Sequence, residues 1–366
     1  MTATSIRAAV CRAFGEPLTI EELQLAAPGP GELRVRLAAV AICHSDVSGV
    51  DGAWGGGLPI VYGHEAAGVV AEVGSGVAFH VGQSVVVTLI RSCGDCRRCK
   101  RGEFVACTTT FALDQRSPLT THDGETILHG LRTAAFAEQV VVHASQVVAV
   151  DDAIDPKAAS LLACGVITGV GAVVNTAAVE LGSTVVVIGC GGVGLNVVQG
   201  ARLAGAGAIV AVDVQPAKLE LARRLGATDV AVAGVDDVAA VVRSVSDEAM
   251  ADYVFVATGS PAALGGALGL VGSMGALVVV GMPPEGVSGS YDPGWLAGLN
   301  QRILGSKMGT SVIARDIPAL LGRYRAGELE LDGLISRTFT LDQINEAMDE
   351  VRAGSALRNV IVFNDT

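Results

Sequence analysis

A strand, a glycine-rich turn, a helix and a second strand follow one another between residues 183 and 227, and this order strongly restricts the fold. The β-branched run STVVVI ends at a glycine, a helical stretch follows, and the next apolar run, AIVAVD, ends in Asp213. An acidic residue about 20 positions after such glycines is typical of a dinucleotide-binding unit in a doubly wound parallel sheet. The turn carries the G-x-G-x-x-G spacing at Gly189, Gly191 and Gly194, with Gly192 between them.

The chemistry of this segment favours one dinucleotide over the other. Glycines let the backbone approach a pyrophosphate at the helix N-terminus, and the Asp213 carboxylate would accept a hydrogen bond from the adenosine ribose. A carboxylate at that point repels a 2′-phosphate, and no basic residue directly follows Asp213. The sequence therefore predicts NAD rather than NADP as the cofactor.

Four cysteines lie in the stretch RSCGDCRRCKRGEFVAC, residues 91–107. The first residues of the chain lack an apolar core long enough for a signal peptide, so we expect a reducing cytoplasm and no stable disulfides. A C-x2-C-x2-C-x7-C spacing then predicts a closed, structural zinc site, with an iron–sulfur cluster as the rival metal. Its ligands would be Cys93, Cys96, Cys99 and Cys107.

A second set of metal ligands is more dispersed. Cys43 lies in VAICHSDVSGV, His64 in VYGHEAAGVV, and Cys164 in ACGVITG. Two cysteines and a histidine leave one coordination position of zinc open for a substrate, as in catalytic sites. Taken singly, a cysteine is usually a small buried hydrophobe and a histidine a satisfied polar group, so the set carries the prediction rather than any one member.

Length, charge and composition limit the number of domains and the kinds of partner. A chain of 366 residues is long enough for two domains, and its net charge of −12 argues against nucleic acid or an anionic membrane as a partner. Aromatic residues make up only 4%, which suits a tightly packed parallel α/β sheet. The apolar stretch 161–174 is interrupted by glycines, so we expect no segment long enough to span a membrane.

From CHSD and GHE through the cysteine cluster to SALRNVIV, the chain resembles the zinc-dependent alcohol dehydrogenases of the medium-chain dehydrogenase/reductase superfamily. The resemblance implies an α/β protein with a discontinuous GroES-like β catalytic domain, residues 1–165 and 308–366. A doubly wound Rossmann NAD-binding domain, residues 166–307, is inserted into it, with the active site in the cleft between the domains. It also implies two zinc ions per chain.

The resemblance also assigns roles to individual residues. Cys43, His64 and Cys164 become the ligands of the catalytic zinc, and the four clustered cysteines become the structural site. Asp46 would orient His64, Glu65 would lie behind the metal, and Ser45 would contact the alcohol hydroxyl. Further residues that would contact NAD are His44, Thr168, Val193, Lys218 and Arg358, and those that would line the substrate pocket are Trp54, Leu89 and Met282.

Some of these assignments compete with simpler interpretations. Val193 could serve only core packing, Lys218 could be a solvated helix residue, and Trp54 an exposed loop residue without a function. Two positions also depart from the family pattern. His44 replaces an arginine common near the pyrophosphate, which predicts weaker cofactor binding. Ser48 replaces a histidine that ends the proton relay in several relatives.

The resemblance thus implies hydride transfer from a small alcohol to NAD, giving an aldehyde or ketone, and the reverse reaction. The long segment between Cys107 and Phe136 resembles dimeric rather than tetrameric relatives, so we expect a homodimer, with a tetramer as the alternative. A polyol or amino-alcohol dehydrogenase is the nearest alternative function. A protein that binds NAD and zinc without catalysis is a more distant one.

Overall fold

The computed structural model describes residues 3–363, so the outermost ends of the predicted catalytic domain lie outside the described residues. The chain forms two compact units. Unit 1 contains the residues up to Cys164 together with Val312–Tyr324 and the chain from Leu331 onward. Unit 2 contains Gly165–Ser311 and Arg325–Glu330. The predicted domain boundaries lie within a few residues of these limits, except that the short segment Arg325–Glu330 was expected in the catalytic domain.

Unit 1 is built on two β-structures. One is a closed barrel with the strand order Thr4–Cys11, Thr19–Leu25, Leu119–Thr120, Thr126–His129 and Ile60–Val61. The other is a seven-stranded sheet in which Gln139–His143 pairs with Glu32–Ala41 outside the main path. The main path runs Val147–Ala149, Ser84–Val87, Glu65–Val73, Glu32–Ala41, Arg358–Val362 and Ile335–Phe339.

Short helices complete unit 1. The α-helices are His44–Val50, Ala112–Gln115, Pro156–Leu161, Ile313–Arg325, whose last residue lies in unit 2, and Ile344–Arg352. Single 3₁₀ turns occupy Cys99–Arg101, Phe104–Ala106, Gly130–Arg132, Ala144–Gln146, Asp332–Leu334 and Leu341–Gln343.

Unit 2 is a six-stranded, fully parallel sheet. The first strand, Thr184–Ile188, lies inside the sheet because both of its edges are paired, and its residues form an almost continuous apolar run. Numbered in chain order, the strands follow the 3-2-1-4-5-6 order of a doubly wound dinucleotide-binding sheet. In spatial order they are Asp229–Val232, Ala208–Asp213, Thr184–Ile188, Ala251–Val256, Val271–Val279 and Arg302–Gly305.

Several helices of unit 2 begin at residues that favour a helix N-terminus. Three of them have proline in the first turn, where the missing N–H costs no hydrogen bond. The α-helices are Ile167–Gly171, Gly192–Leu203, Pro216–Leu225, Val238–Val245, Pro261–Ala267 and Pro293–Gly298, and short turns lie at Leu268–Leu270 and Met308–Thr310. The presence of one Rossmann-type α/β unit and one β unit confirms the predicted fold class.

One helical stretch differs from the sequence prediction. Residues Pro156–Ala177 form a continuous helix of 22 residues, in which Leu162–Val166 and Ala172–Ala177 are π-helical. The expectation that glycines would keep this stretch too short to span a membrane is wrong, because glycines at helix positions packed against other backbone do not end the helix. By length and composition the helix could cross a membrane, yet 89% of its apolar window is buried inside the protein. Buried core helices pass the same test, so the feature is weak evidence for a membrane.

Candidate active site and metal centres

The first candidate metal centre lies entirely in unit 1. One ligand atom from each of Cys43, His64, Glu65 and Cys164 lies within 4.8 Å of the others, and all four residues are buried. Cys43 stands between the strand Glu32–Ala41 and the helix His44–Val50, and His64 immediately precedes the strand Glu65–Val73. Cys164 lies in a π-helical segment, a local widening that frequently occurs at functional sites. The structure therefore brings the three predicted ligands together.

Asp46 is the residue that orients this centre. Its fully buried carboxylate accepts hydrogen bonds from the backbone N–H groups of Cys43 and Gly63, both at 3.0 Å. The same carboxylate lies 3.0 Å from Nδ1 of His64, which donates to it. Nε2 of His64 is buried, and among residues 3–363 it has no hydrogen-bond partner of ordinary geometry. A buried nitrogen left free beside two sulfurs is the donor set that fits zinc.

The pKa shifts of the three candidate ligands also fit a metal site. The hydrogen bond from the Cys164 thiol holds the pKa of Cys43 well below the ordinary thiol value, despite burial. In return, Cys43 raises the pKa of Cys164 well above that value. Burial opposes the charged form of His64, but Asp46 and Cys43 together outweigh it and raise the histidine pKa well above its ordinary value. A divalent cation would favour the deprotonated form of all three ligands.

Glu65 is held in place by a buried ion pair. Its Oε1 accepts a hydrogen bond from Nη1 of Arg358 at 3.0 Å, and both side chains are almost completely buried. Burial raises the pKa of Glu65 to about 8, while the positive charge of Arg358 opposes the increase. Arg358 was predicted to contact the cofactor. The structure places its guanidinium beside Glu65 and Cys43 in unit 1, and a contact with NAD stays a prediction.

The second candidate centre is the cysteine cluster, also in unit 1. The eight cysteines, all among residues 3–363, form no disulfides, and the four clustered sulfurs lie within 4.8 Å of one another. The pairs Cys93–Cys99 and Cys96–Cys107 each have sulfurs 3.9 Å apart. Four Zn–S bonds of about 2.3 Å in a tetrahedron separate the sulfurs by about 3.8 Å. The spacing therefore fits one metal ion rather than a cluster of several iron atoms.

Hydrogen bonds in this loop stabilise thiolates. The Thr109 hydroxyl donates to Sγ of Cys93 at 3.0 Å, and the backbone N–H of Cys96 donates to the same sulfur at 3.2 Å. The Thr109 hydrogen bond lowers the pKa of Cys93, and backbone N–H donors, led by that of Cys99, lower the pKa of Cys96 to about 5. Burial acts in the opposite direction at Cys99 and raises its pKa to about 12. A bound cation would favour the thiolate of Cys99 despite its burial.

The glycine turn of unit 2 has the geometry of a dinucleotide site. Gly189 has a φ of +92°, and a Cβ on Gly194 would lie only 1.7 Å from the carbonyl oxygen of Gly189. The helix Gly192–Leu203 starts directly after the turn, so its free N–H groups face outward from the end of the strand. Asp213 ends the next strand and accepts from the backbone N–H of Cys190 at 2.7 Å. These contacts fit the pyrophosphate and ribose of a dinucleotide.

The other predicted cofactor residues occupy varied positions. His44 is exposed on the first turn of its helix, and Val193 is half-buried in the glycine turn. Thr168 is buried and donates to Sδ of Met308 at 3.7 Å. Lys218 lies near enough to Cys190 for its positive charge to act on that thiol. The cofactor roles of these residues stay predictions.

The predicted substrate residues are only partly enclosed. Ser45, on the first turn of the helix His44–Val50, is half-buried, as are Trp54 and Leu89 in unit 1. Met282 in unit 2 is 63% exposed. Their roles toward the alcohol are untested by the structure.

Three features of these sites were not predicted from the sequence. The first is the ion pair of Glu65 with Arg358, although a charged residue at the start of the apolar strand RNVIV was a usable signal. The others are the Thr109 hydroxyl at the cysteine cluster and the π-helical setting of Cys164, neither of which has a clear sequence signature.

Comparison with known proteins agrees with this geometry. Residues 29–152 match the alcohol dehydrogenase GroES-like domain, and residues 192–324 match the zinc-binding dehydrogenase domain. The NDMA-dependent alcohol dehydrogenase of Amycolatopsis methanolica is 35% identical over 98% of this chain and 99% of its own length. The S-(hydroxymethyl)glutathione dehydrogenase of Paracoccus denitrificans is 34% identical, with coverages of 98% and 99%. The crystal structure of benzyl alcohol dehydrogenase from Acinetobacter calcoaceticus superposes with a TM-score of 0.91 at 29% identity, over 99% of this chain and 100% of that one.

Fold and sites together define a zinc-binding dehydrogenase with a GroES-like unit and a Rossmann unit. With relatives of this identity along nearly its whole length, the chain belongs to the zinc-type alcohol dehydrogenases of the medium-chain dehydrogenase/reductase superfamily.

Proposed function

We propose that this chain oxidises a small, uncharged alcohol to an aldehyde or ketone, and catalyses the reverse reduction, with NAD as the hydride carrier. The observation that carries the proposal is the buried set of Cys43, His64 and Cys164, in which Asp46 occupies Nδ1 of the histidine and leaves Nε2 free. We further propose two zinc ions per chain, one in this set and one among the four clustered cysteines.

The protein residues around the first centre have separate tasks. A bound zinc ion supplies a Lewis acid that lowers the pKa of the alcohol hydroxyl and polarises the carbonyl in the reverse direction. Asp46 fixes the ring of His64 and the backbone of Cys43. The Ser45 hydroxyl, two residues after Cys43 on the first turn of the helix His44–Val50, would accept the alcohol proton and pass it on. Ser48 cannot end that relay as a base at neutral pH, so the proton must leave by water or another group.

Asp213 supports the choice of NAD. Its carboxylate is anchored by the N–H groups of Cys190 and Gln215, at 2.7 and 2.9 Å, so it stays at the end of its strand. A fixed negative charge there accepts a hydrogen bond from a ribose hydroxyl and repels a phosphate.

The loop 51–59 favours an uncharged substrate. Its only ionisable residue is Asp51, and the Arg352 guanidinium already binds that carboxylate at 2.8 Å. Of the candidate pocket residues in unit 1, Trp54 lies on this loop, and both Trp54 and Leu89 are apolar. A charged glutathione adduct, the substrate named for the Paracoccus relative, would therefore find no free ionic partner on this loop.

A panel of alcohols tests the proposal. We would measure the reduction of NAD and of NADP with benzyl alcohol, ethanol, a polyol, threonine and S-(hydroxymethyl)glutathione, with metal analysis of the same preparation. We expect turnover of benzyl alcohol with NAD and a requirement for zinc. Turnover of the polyol or threonine alone would favour the alternative dehydrogenases, and NAD binding without any turnover would favour a non-catalytic protein.

We also propose a homodimer in the cytoplasm. The strand Arg302–Gly305 pairs on one side only within the described chain, and its Ile303 is 44% exposed, with Trp295 nearby in sequence at 65%. An open strand edge with apolar neighbours suits pairing with a second copy. A reducing compartment keeps the cysteines of both candidate metal centres from forming disulfides, as metal binding requires. Sedimentation analysis should give twice the chain mass, and a fourfold mass would support the tetramer instead.

A further inference from the structure

Three consecutive residues near the end of unit 2 have left-handed backbone conformations. Met308, Gly309 and Thr310 have φ angles of 49°, 62° and 50°. Glycine adopts this region freely, but a β-branched residue such as threonine does so only where its surroundings impose it. We call residues 308–310 the left-handed turn. Strained backbone persists only where surrounding contacts hold it, and such strain is often found at functional sites. The contacts that hold the left-handed turn are therefore candidates for a functional role.

Close backbone packing supplies the first constraint. A Cβ on Gly309 would lie 2.2 Å from the carbonyl oxygen of Ile167, and a Cβ on Gly171 would lie 2.6 Å from the carbonyl oxygen of Gly309. The left-handed turn therefore rests directly on the helical backbone of residues 167–171 with no side chain between them.

Polar side chains supply the second constraint. Oγ1 of Thr176 lies 2.8 Å from Oγ1 of Thr310 and 2.9 Å from Oγ of Ser306, and Nδ2 of Asn175 donates to the carbonyl oxygen of Gly309 at 3.2 Å. We call Thr176, Ser306 and Thr310 the hydroxyl clamp. The central hydroxyl of Thr176 links Thr310, the last residue of the turn, and Ser306, two residues before the turn, to one helix, so its removal releases both.

The turn is connected to a predicted cofactor residue. The Thr168 hydroxyl donates to Sδ of Met308 at 3.7 Å, and both residues are buried. Thr168 lies where nicotinamide is expected to pack. A change in the backbone of residues 308–310 would therefore move Met308 and alter the surroundings of Thr168.

We propose that the hydroxyl clamp holds the left-handed turn so that Met308 and Thr168 keep the nicotinamide ring in position for hydride transfer. Thr176 is then a positioning residue, which acts through Thr310 and Met308 and does not touch the substrate. This inference rests on the proposed NAD-dependent function.

Substitutions of Thr176 by valine and by serine distinguish the effect of the hydroxyl group from the effect of side-chain shape. Thr176→Val keeps the volume and removes both hydrogen bonds, whereas Thr176→Ser keeps the hydroxyl. Thr228→Val is the matched control, because the Thr228 hydroxyl also makes two hydrogen bonds in unit 2, both to Ile209, at 2.9 and 3.2 Å. We would measure NADH affinity, kcat, the kinetic isotope effect with NADH deuterated at C4, and thermal unfolding.

We expect kcat of Thr176→Val to fall by roughly tenfold, since two net hydrogen bonds are lost. The isotope effect should increase, while the dissociation constant of NADH should change by less than about threefold, because the pyrophosphate and adenosine contacts are untouched. Thr176→Ser should restore kcat and the isotope effect. Thr176→Val combined with Thr310→Gly should also recover activity, because glycine adopts the left-handed conformation without a clamp.

Equal kcat and isotope effects in Thr176→Val and the wild type would overturn the inference. So would a loss in Thr176→Val that Thr228→Val reproduces with the same change in melting temperature. The fluorescence of bound NADH reports on the nicotinamide without any alcohol. If the wild type binds NADH but no alcohol is turned over, the proposed function fails, and an unchanged NADH emission in Thr176→Val would independently refute the clamp.

Discussion

The substitution Asp46→Asn tests how the first metal centre is held together. The carboxylate of Asp46 accepts three hydrogen bonds of 3.0 Å, from the N–H groups of Cys43 and Gly63 and from Nδ1 of His64. An asparagine has one acceptor oxygen, which can serve Gly63 and His64. Its amide nitrogen then faces the backbone N–H of Cys43, donor against donor, at a fully buried site.

The expected cost follows from this count. A buried donor left without a partner costs about 1–3 kcal/mol, and replacing a charged acceptor by a neutral one weakens the other two bonds. We expect the free energy of unfolding to fall by about 3 kcal/mol. Because His64 and Cys43 lose their fixed orientation, zinc affinity at this centre should fall by about 10-fold to 100-fold.

Competition for zinc with a chelator and urea unfolding measure the two effects. Asp252→Asn is the control, because the Asp252 carboxylate also accepts from a backbone N–H, that of Thr184 at 2.8 Å, but belongs to unit 2, whereas the candidate ligands of this metal centre belong to unit 1. Zinc affinity within twofold of the wild type in Asp46→Asn would refute the reasoning. An equal loss of zinc in Asp252→Asn would refute it too.

Three further predictions concern the cofactor and acid stability. Asp213→Ala should reduce kcat/KM with NAD and increase kcat/KM with NADP relative to it. Assays with each cofactor measure both effects, and a wild type that prefers NADP would contradict the prediction. His44→Arg should lower the dissociation constant of NADH by about tenfold, since arginine adds a permanent charge and more donors; an unchanged constant would show that residue 44 is remote from the phosphates. Burial, aided by the charge of Arg91, lowers the pKa of His129 to about 3 from 6.5. As the pH falls, His129 is therefore protonated in the unfolded chain before it is protonated in the folded one. Between pH 6.5 and about 3, His129 should lower the free energy of unfolding by up to about 1.4 kcal/mol per pH unit. His129→Phe should lose that part of the slope in urea unfolding, and an identical slope would contradict the assignment.

The parts of the protein that short-range chemistry dictates were predictable from the sequence. The strand, glycine turn and helix around Gly189 need only local backbone geometry, and the structure has the strand order that they imply. The four clustered cysteines come from one loop, so their spacing already limits the metal. Ligand chemistry suggested the grouping of Cys43, His64 and Cys164, and the resemblance then assigned them to one zinc ion. Spacing alone could not show that they meet, because these residues are distant in the chain and only the fold brings them together.

Other features depend on packing that no local pattern records. Whether glycines end a helix is decided by what packs against them, and Gly171 lies against the backbone of Gly309, so the helix continues. The left-handed conformation of Thr310 is likewise imposed by distant partners, above all Thr176. The ion pair of Arg358 with Glu65 likewise follows from the pairing of the Arg358 strand with Glu32–Ala41, while its contact with the cofactor stays a prediction.

The zinc content of two cysteine variants, measured together with their turnover, tests the central claim most directly. We expect two zinc ions per chain in the active wild type, one for each cysteine-containing centre. Cys164→Ser should keep the zinc of the clustered cysteines and most of its thermal stability, but should lose the other ion and all measurable alcohol oxidation. Cys99→Ser should instead lower stability and expression. A fully active wild type with one zinc ion, or with iron, would contradict the account, as would Cys164→Ser that still oxidises alcohol.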